Sequence, residues 1–286
     1  MSGSDASNGS APLGVFDSGL GGLTVVRALR ESLPGERIVY LGDTARVPYG
    51  TRSAETVIRY ARGCARVLIE RKIKALVVAC NTVSAVAIEL LRAEFDLPVL
   101  GVVEPGARTA VRAVERAARG AQPLRIGVLG TAGTVASGAY PRAVGQLSTR
   151  FEVIAEAAPL LVPLVEEGWL EGEVPRLVVR RYLEPLIRAG ASVIVLGCTH
   201  YPLLAPLIAD EAERLAGAPI PIVDSAAATA DAVREWIAEA RIAANSAEKS
   251  GLELLVTDRP QTFAAVAGRF LGGEVPAIEL VDLAPA

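Results

Sequence analysis

The sequence is short of the side chains that bind metals, form Schiff bases or build disulfide frameworks. Its 286 residues include one histidine, three lysines and three cysteines. A structural zinc site takes four ligands, mostly Cys or His, and three cysteines do not make a complete set of disulfides. We therefore predict no bound metal, and we expect Cys64, Cys80 and Cys198 to be free thiols in a reducing, cytoplasmic setting.

Neither an excess of positive charge nor a long apolar run is present. The chain has 29 Lys and Arg against 32 Asp and Glu, and its net charge of -3 gives no global attraction for nucleic acid or an anionic membrane. No apolar stretch approaches the ~20 residues of a membrane-spanning helix, and residues 1–12 lack the basic start of a signal peptide. We predict a cytoplasmic chain with a short disordered tail and with no nucleic-acid or membrane partner.

The hydrophobic pattern predicts an α/β fold. Hydrophobic residues make up 51% of the chain but aromatic residues only 5%, so the core is expected to be aliphatic. Short β-branched runs alternate with segments of helical period, and continuous apolar strands favour parallel sheets covered on both faces. The predicted strands lie near residues 13–16, 37–41, 75–79, 98–103, 124–129, 151–155, 192–196, 220–223 and 253–257.

Two segments of the chain resemble one another. Residues 75–82 and 192–200 each contain a buried-type strand that ends in a small residue, followed by a cysteine with Thr close behind. The copies are about one domain length apart, which indicates two similar α/β units. Residues 103–106 and 122–123 are candidate boundaries, and the residues after about 223 could belong to either unit.

Two of the three cysteines, Cys80 and Cys198, are expected at the carboxyl ends of strands, where parallel sheets bind ligands. Helix N-termini nearby would stabilise their thiolates. If the two units face each other across a cleft, one thiolate can remove a proton from a carbon acid while the opposite thiol returns one on the other face. Cys64 lies in a predicted helix and is expected only to pack.

A glycine-rich corner, Asp-Ser-Gly-Leu-Gly-Gly, follows the first strand at residues 17–22. Its backbone N–H groups predict an anion site, and we favour a small-molecule site in which the corner binds a carboxylate and Asp17 handles an amine or a proton. A dinucleotide site is the alternative, with Asp43 as the ribose-binding acid. Thr24, however, stands where that fingerprint needs its third glycine.

His200 follows Cys198 by two residues, and three functions are open to it: a Cys/His nucleophilic pair, a metal pair, or a helper of Cys198. The lysines are poorly placed for pyridoxal phosphate. Lys72 and Lys74 precede the third strand and so lie at its opposite end from the cysteine, and Lys249 sits in a polar stretch. This placement predicts a mechanism without a cofactor.

Several longer motifs stand in the order of one known family. They are Phe16-Asp17-Ser18-Gly19-Leu20-Gly21-Gly22, Gly42-Asp43 with Pro48-Tyr49-Gly50, Ala79-Cys80-Asn81-Thr82, Gly130-Thr131 with Thr134, Pro163-Leu164-Val165-Glu166 and Gly197-Cys198-Thr199-His200-Tyr201-Pro202. With these motifs the chain resembles the glutamate racemase family from about residue 13 to residue 225. The resemblance implies a cofactor-independent racemase that interconverts L- and D-glutamate and supplies D-glutamate for peptidoglycan.

The same resemblance implies a fold of two pseudo-symmetric, doubly wound α/β domains with mainly parallel sheets, facing each other across a cleft. The first domain would comprise residues 1–102 with 224–286, and the second residues 103–223. Relatives are often homodimers, and we expect the same here.

The resemblance also implies roles for site residues. Cys80 would deprotonate the D-isomer with help from Asp17, and Cys198 the L-isomer with help from Glu166 and His200. The motif favours Glu166 over the adjacent Glu167, a choice that periodicity alone could not make. The implied substrate contacts are Asp17, Ser18, Tyr49, Gly50, Asn81, Thr82, Thr131, Thr134, Thr199 and His200.

Other functions stay open at this level. Aspartate racemases and other amino-acid racemases of the superfamily share the two-cysteine plan, and no single residue here measures the length of a substrate side chain. A nucleotide-binding or partner-binding regulatory module is the non-enzymatic alternative. The partner-binding alternative follows from the report that some family members inhibit DNA gyrase.

Overall fold

Strands and helices alternate along the chain, as the periodicity predicts. The computed structural model describes residues 11–117, 124–245 and 250–283. In chain order the elements are β1 (Leu13–Asp17), α1 (Leu23–Ser32), β2 (Arg37–Gly42), α2 (Ala54–Glu70), β3 (Ala75–Val78), α3 (Asn81–Glu94), β4 (Val99–Gly101), α4 (Val103–Ala117), β5 (Leu124–Gly130), α5 (Ala132–Ser137), α6 (Ala139–Leu147), β6 (Phe151–Ala157), α7 (Leu161–Glu166), α8 (Glu173–Arg188), β7 (Ala191–Gly197), a 3₁₀ turn (Tyr201–Leu204), α9 (Ala205–Ala216), β8 (Ile222–Asp224), α10 (Ser225–Ala238), β9 (Gly251–Val256), α11 (Pro260–Leu271) and β10 (Ile278–Leu280). Residues 1–10 of the predicted tail, the candidate boundary at 122–123 and Lys249 lie outside the described residues.

The strands form two sheets with matching topology. The first has the order β10-β9-β2-β1-β3-β4 and the second the order β6-β5-β7-β8. Every strand pairing within the two sheets is parallel. The central order β2-β1-β3-β4 corresponds strand for strand to β6-β5-β7-β8, so the predicted fold of two pseudo-symmetric, parallel α/β units is confirmed. In this correspondence β3 and β7, which precede the two strand-end cysteines, are equivalent strands.

The C-terminal part of the chain returns to the first sheet. Strands β9 and β10 extend that sheet beyond β2, while the second sheet is built entirely from strands between residues 124 and 224. This arrangement accounts for the residues after 223 that the sequence pattern could not assign. The exact domain limits, 1–102 with 224–286 and 103–223, stay a prediction.

One local prediction needs correction, and one strand was missed. The strand predicted near residues 98–103 ends at Gly101, and the segment Val103-Glu104-Pro105-Gly106, named above as a candidate boundary, forms the first turn of α4. A proline is tolerated there because the N–H groups of a first helical turn have no partner within the helix. The short edge strand β10 was not predicted. It has only three residues, one half-buried and two exposed, and so carries little hydrophobic signal.

The core is aliphatic, as the composition predicts. The central strands are buried along most of their length, as expected for parallel sheets covered by helices on both faces. Cys64 is fully buried on α2 among Val57, Leu68 and other apolar side chains, which confirms its expected packing role. Within the described ranges, no helix is long and apolar enough to cross a membrane.

Candidate active site

The carboxyl ends of the two sheets face one shared cavity of about 340 Å³. This volume is typical of sites for small molecules. Most of the predicted site residues line it: Ser18, Tyr49, Gly50, Cys80, Asn81, Thr82, Thr131, Glu166, Cys198, Thr199 and His200. Two predicted contacts, Asp17 and Thr134, do not reach the lining; both are buried behind it.

A larger cavity of about 650 Å³ lies among α3, α4, α6 and α10, but it contains neither strand-end cysteine. Its charged side chains are largely paired with each other. Arg92 contacts Glu104 at 2.8 Å, and Arg108 contacts Glu235 at 2.6 Å. The smaller cavity is therefore the candidate active site, because it gathers the thiols and the hydroxyl and amide side chains.

Cys80 occupies the N-cap position of α3, directly after β3. Its Sγ donates a hydrogen bond to Ser18 Oγ at 3.5 Å. Burial and, to a smaller extent, the nearby Asp17 carboxylate raise the pKa of Cys80 to about 12, against the lowering effect of Ser18. Cys80 is therefore held as a protonated thiol, the form that can donate a proton.

Asp17 stands behind Cys80 at the end of β1. Its Oδ2 accepts a hydrogen bond from the backbone N–H of Gly19 at 3.2 Å. Burial raises the pKa of Asp17, while His200 and the N–H groups of the glycine corner lower it. One N–H of the corner is thus engaged by the protein's own Asp17, and the carboxylate site at this corner stays a prediction.

Cys198 has a different set of partners. Its Sγ lies 3.9 Å from His200 Nδ1, and His200 Nε2 lies 3.0 Å from Glu166 Oε1. Burial lowers the pKa of His200, but hydrogen bonds to Cys198 and Glu166 raise it more, to about 10. His200 is therefore held as an imidazolium between a carboxylate and a sulfur. The glutamate that pairs with it is Glu166, as the motif favoured.

The glycines of the corner allow its close approach to the second unit. A Cβ on Gly21 would lie 2.5 Å from His200 Nδ1 and would also collide with Thr199 Oγ1. Thr24 Oγ1, in the first turn of α1, donates to the Thr199 carbonyl at 2.9 Å. The corner thus packs directly against the segment that carries His200.

The segment that carries Tyr49 and Gly50 crosses the cavity from the first unit to the second. Tyr49 donates a hydrogen bond to Asp43, whose carboxylate also accepts from Arg46 at 2.7 Å and from Thr257 at 2.8 Å. At its far end, the Gly50 carbonyl accepts from the Gly133 N–H at 2.9 Å. Asp43 is therefore used within the protein, which argues against the ribose-binding role considered above.

A second polar group comes from α3 and α5. Thr82 Oγ1 lies 2.9 Å from Thr131 Oγ1, and Thr131 lies 3.0 Å from Thr134. Asn81 accepts a hydrogen bond from Tyr140 at 2.8 Å. This contact of Tyr140 was not predicted, because neither its helix nor its neighbours in sequence mark it as a partner of Asn81. The anchoring role of Asp43 was not predicted either.

The ammonium group of Lys74 is engaged outside the cavity. Lys74 Nζ, before β3, donates to Glu36 at 2.5 Å, to the Ala243 carbonyl at 2.6 Å and to Asn245 at 2.7 Å. All three donors of its ammonium group are engaged at the opposite end of the strand from Cys80. Among the described residues, no three His, Cys, Asp or Glu side chains are grouped as metal ligands.

Known proteins are similar to this chain in both sequence and fold. The Asp/Glu/hydantoin racemase family model matches residues 22–233. The glutamate racemase of Geobacter metallireducens is 46% identical over 271 residues, covering 95% of this chain and 96% of the relative. The crystal structure of a glutamate racemase isoform from Bacillus anthracis superposes with a TM-score of 0.88 at 34% identity, covering 96% of this chain and 98% of that one. A Francisella tularensis glutamate racemase in complex with D-glutamate has a TM-score of 0.85 at 31% identity, with 96% and 98% covered.

Proposed function

The chain belongs to the Asp/Glu/hydantoin racemase family and is an amino-acid racemase of the glutamate racemase type, and from this premise we propose that Cys80 and Cys198 exchange the Cα proton of glutamate. One observation carries the proposal. The two thiols follow equivalent strands of two pseudo-symmetric sheets and line the same cavity of about 340 Å³. The complex of a relative with D-glutamate supports glutamate as the ligand.

The reaction needs one base and one acid on opposite faces of Cα. In the direction from L to D, the Cys198 thiolate takes the α-proton and the Cys80 thiol gives its own proton to the other face of the carbanion. In the reverse direction the roles exchange, so the protein ends each turnover with one proton moved from one sulfur to the other. Solvent exchange at the two sulfurs then restores the starting state.

The different surroundings of the sulfurs fit these roles. Cys80, buried beside Asp17, is held as the neutral thiol that donates in the L-to-D direction. The imidazolium of His200 places positive charge beside the sulfur of Cys198, which in our proposal receives the α-proton of L-glutamate. Glu166 holds that imidazolium at 3.0 Å. We assign Asp17 to the Cys80 side and Glu166 with His200 to the Cys198 side.

Polar groups around the cavity suit an amino-acid substrate. We propose that Ser18, Asn81, Thr82, Thr131 and Thr199 bind its carboxylates and ammonium group, together with Tyr49, Gly50 and His200, because all line the cavity. Asp17 and Thr134 lie behind this lining. In our proposal they act through Ser18 and Thr131, respectively, and do not touch the substrate.

We place the enzyme in the cytoplasm, where D-glutamate would be supplied for peptidoglycan, and we propose that it works as a homodimer. Three large apolar side chains that lie near one another in sequence are exposed. Leu160, directly before α7, is 51% exposed; Trp169, after the end of α7, is 52% exposed; and Leu177, on α8, is 53% exposed. Light scattering after size exclusion tests the dimer, because a mass near 30 kDa would contradict it.

Separate replacement of the thiols tests the mechanism. Cys80→Ser and Cys198→Ser should each lower kcat/KM for racemisation by at least about 10³-fold, because the serine hydroxyl is a far weaker acid than a thiol and does not ionise near neutral pH to act as a base. Cys64→Ala is the matched control, because it removes a buried thiol outside the cavity and should leave kcat/KM unchanged. Full activity in either serine variant would refute the two-thiol mechanism. Parallel assays with L-aspartate distinguish the aspartate alternative.

A further inference from the structure

The last turn of α11 contacts both residues that accompany Cys198, Glu166 through its backbone and His200 through its ring. It lies about 70 residues after the nearer of them in sequence. Arg269 Nη1 donates to the Val165 carbonyl at 3.0 Å and to the Glu166 carbonyl at 2.9 Å. The next residue, Phe270, packs its ring edge-on against the ring of His200, with 5.3 Å between centroids and 82° between planes. Neither residue lines the cavity.

Glu166 is the last residue of α7, a helix of only six residues. So short a helix is not stable by itself, and its final carbonyls have no partner within the helix. A positive side chain near those carbonyls satisfies them and also interacts favourably with the negative end of the helix. Arg269 supplies that group from a distant part of the chain.

The fit between α11 and the end of α7 is close. Gly168 follows the helix with φ +78°, and a Cβ at Gly168 would lie 2.7 Å from Arg269 Nη2. Phe270 is fully buried, so the His200 ring packs against a side chain that is itself part of the core. The two contacts therefore fix the two ends of the Glu166–His200 pair from one helical turn.

We propose that Arg269 and Phe270 are positioning residues that hold Glu166 and His200 in register with Cys198. The proposal rests on the proposed function, because it assigns these residues to one half of the two-thiol reaction. Arg269 acts through the backbone of Glu166, and Phe270 through the imidazole ring of His200.

Arg269→Met tests the proposal, with Arg269→Lys as the conservative variant and Arg234→Met as the control. Lys keeps the positive charge and several donors on one nitrogen, so it should retain part of the function. Arg234 pairs with Asp231 on the exposed face of α10 and contacts nothing in the site.

The first measurement does not depend on catalysis. Because His200 is the only histidine, its imidazole signals can be followed by NMR through a pH titration without assignment by mutation. Loss of the Arg269 contacts should let Glu166 shift away, so the pKa of His200 should fall in Arg269→Met, fall less in Arg269→Lys and stay unchanged in Arg234→Met. An unchanged pKa in folded Arg269→Met would overturn the proposal, whatever the enzyme's activity.

The second measurement locates the defect in the reaction. The Arg269→Met variant should lose about 10- to 100-fold in kcat/KM, the range expected for a catalytic group displaced by up to 1 Å. Because the Cys198 steps become slower, the isotope effect with α-deuterated L-glutamate should rise and that with α-deuterated D-glutamate should fall. A purely structural defect would leave both isotope effects at the wild-type values. If wild-type protein does not racemise glutamate, the proposed function fails, while the NMR titration still decides the positioning role.

Discussion

Replacement of Gly21 by alanine is the sharpest structural test of the site, because the backbone there permits a Cβ and only the facing residues oppose it. Gly21 is not among the glycines with positive φ. A Cβ built on it lies 2.5 Å from His200 Nδ1 and 2.6 Å from His200 Cε1, and it also meets Thr199 Oγ1. Favourable contacts between such atoms need about 3.5 Å or more, so His200 must move by about 1 Å.

The size of the effect follows from that displacement. His200 lies 3.9 Å from the Cys198 sulfur and 3.0 Å from Glu166, so a shift of about 1 Å disturbs both contacts. A misplacement of this size costs about 100-fold in rate, or about 2.7 kcal/mol in transition-state energy. The free energy of unfolding should fall by only about 1–3 kcal/mol, the usual cost of overpacking.

The assay follows racemisation of L-glutamate by polarimetry and unfolding by urea titration. Gly145→Ala in α6 is the matched control, since no heavy atom lies within 4 Å of an added Cβ there. That variant should keep its activity and gain about 0.5–1 kcal/mol of stability, because alanine favours a helix over glycine. A folded Gly21→Ala protein with wild-type kcat/KM would refute the assigned role of His200.

Two further predictions concern stability. Lys74→Met leaves Glu36 charged and buried without its partner, so the free energy of unfolding should fall by about 3–5 kcal/mol. Below the melting temperature, kcat should be unchanged. A loss of less than about 1 kcal/mol in a urea titration would be inconsistent with this ion pair. The pKa of His200 is raised from 6.5 to about 10 in the folded protein, so its stabilising contribution is complete below about pH 6.5 and declines as the pH rises toward 10. The difference in unfolding free energy between wild type and His200→Asn should therefore shrink across that window, and a constant difference would exclude the raised pKa.

Much of the fold follows from local pattern. Each buried strand carries a run of aliphatic residues, and each strand-end cysteine is marked by the polar residues that come directly after it. Cys80 and Cys198 could therefore be placed at equivalent strand ends, since the carboxyl ends of parallel strands lie at one edge of a sheet. The duplication of this pattern predicted a shared cleft.

Contacts between distant segments could not be predicted in this way. The bond from Arg269 to the Glu166 carbonyl joins residues 103 positions apart, and the Asp43 network draws on Thr257 from the far end of the chain. Nothing local in the sequence of α11 distinguishes Arg269 from an exposed helical arginine. At the glycine corner, the sequence pattern also did not predict that Asp17 would accept a hydrogen bond from the N–H of Gly19 in the same corner.

Deuterium labelling at early times tests the two-thiol mechanism most directly. L-Glutamate is incubated with wild-type protein in deuterated water without added cofactor, and both isomers are recovered when a few per cent has reacted. The two-thiol mechanism predicts one α-deuterium in the D-glutamate and none in the remaining L-glutamate, because the product proton comes from Cys80 after solvent exchange while the substrate proton stays on Cys198. D-Glutamate that retains the substrate's α-proton would contradict it, since only one base acting on both faces would return that proton.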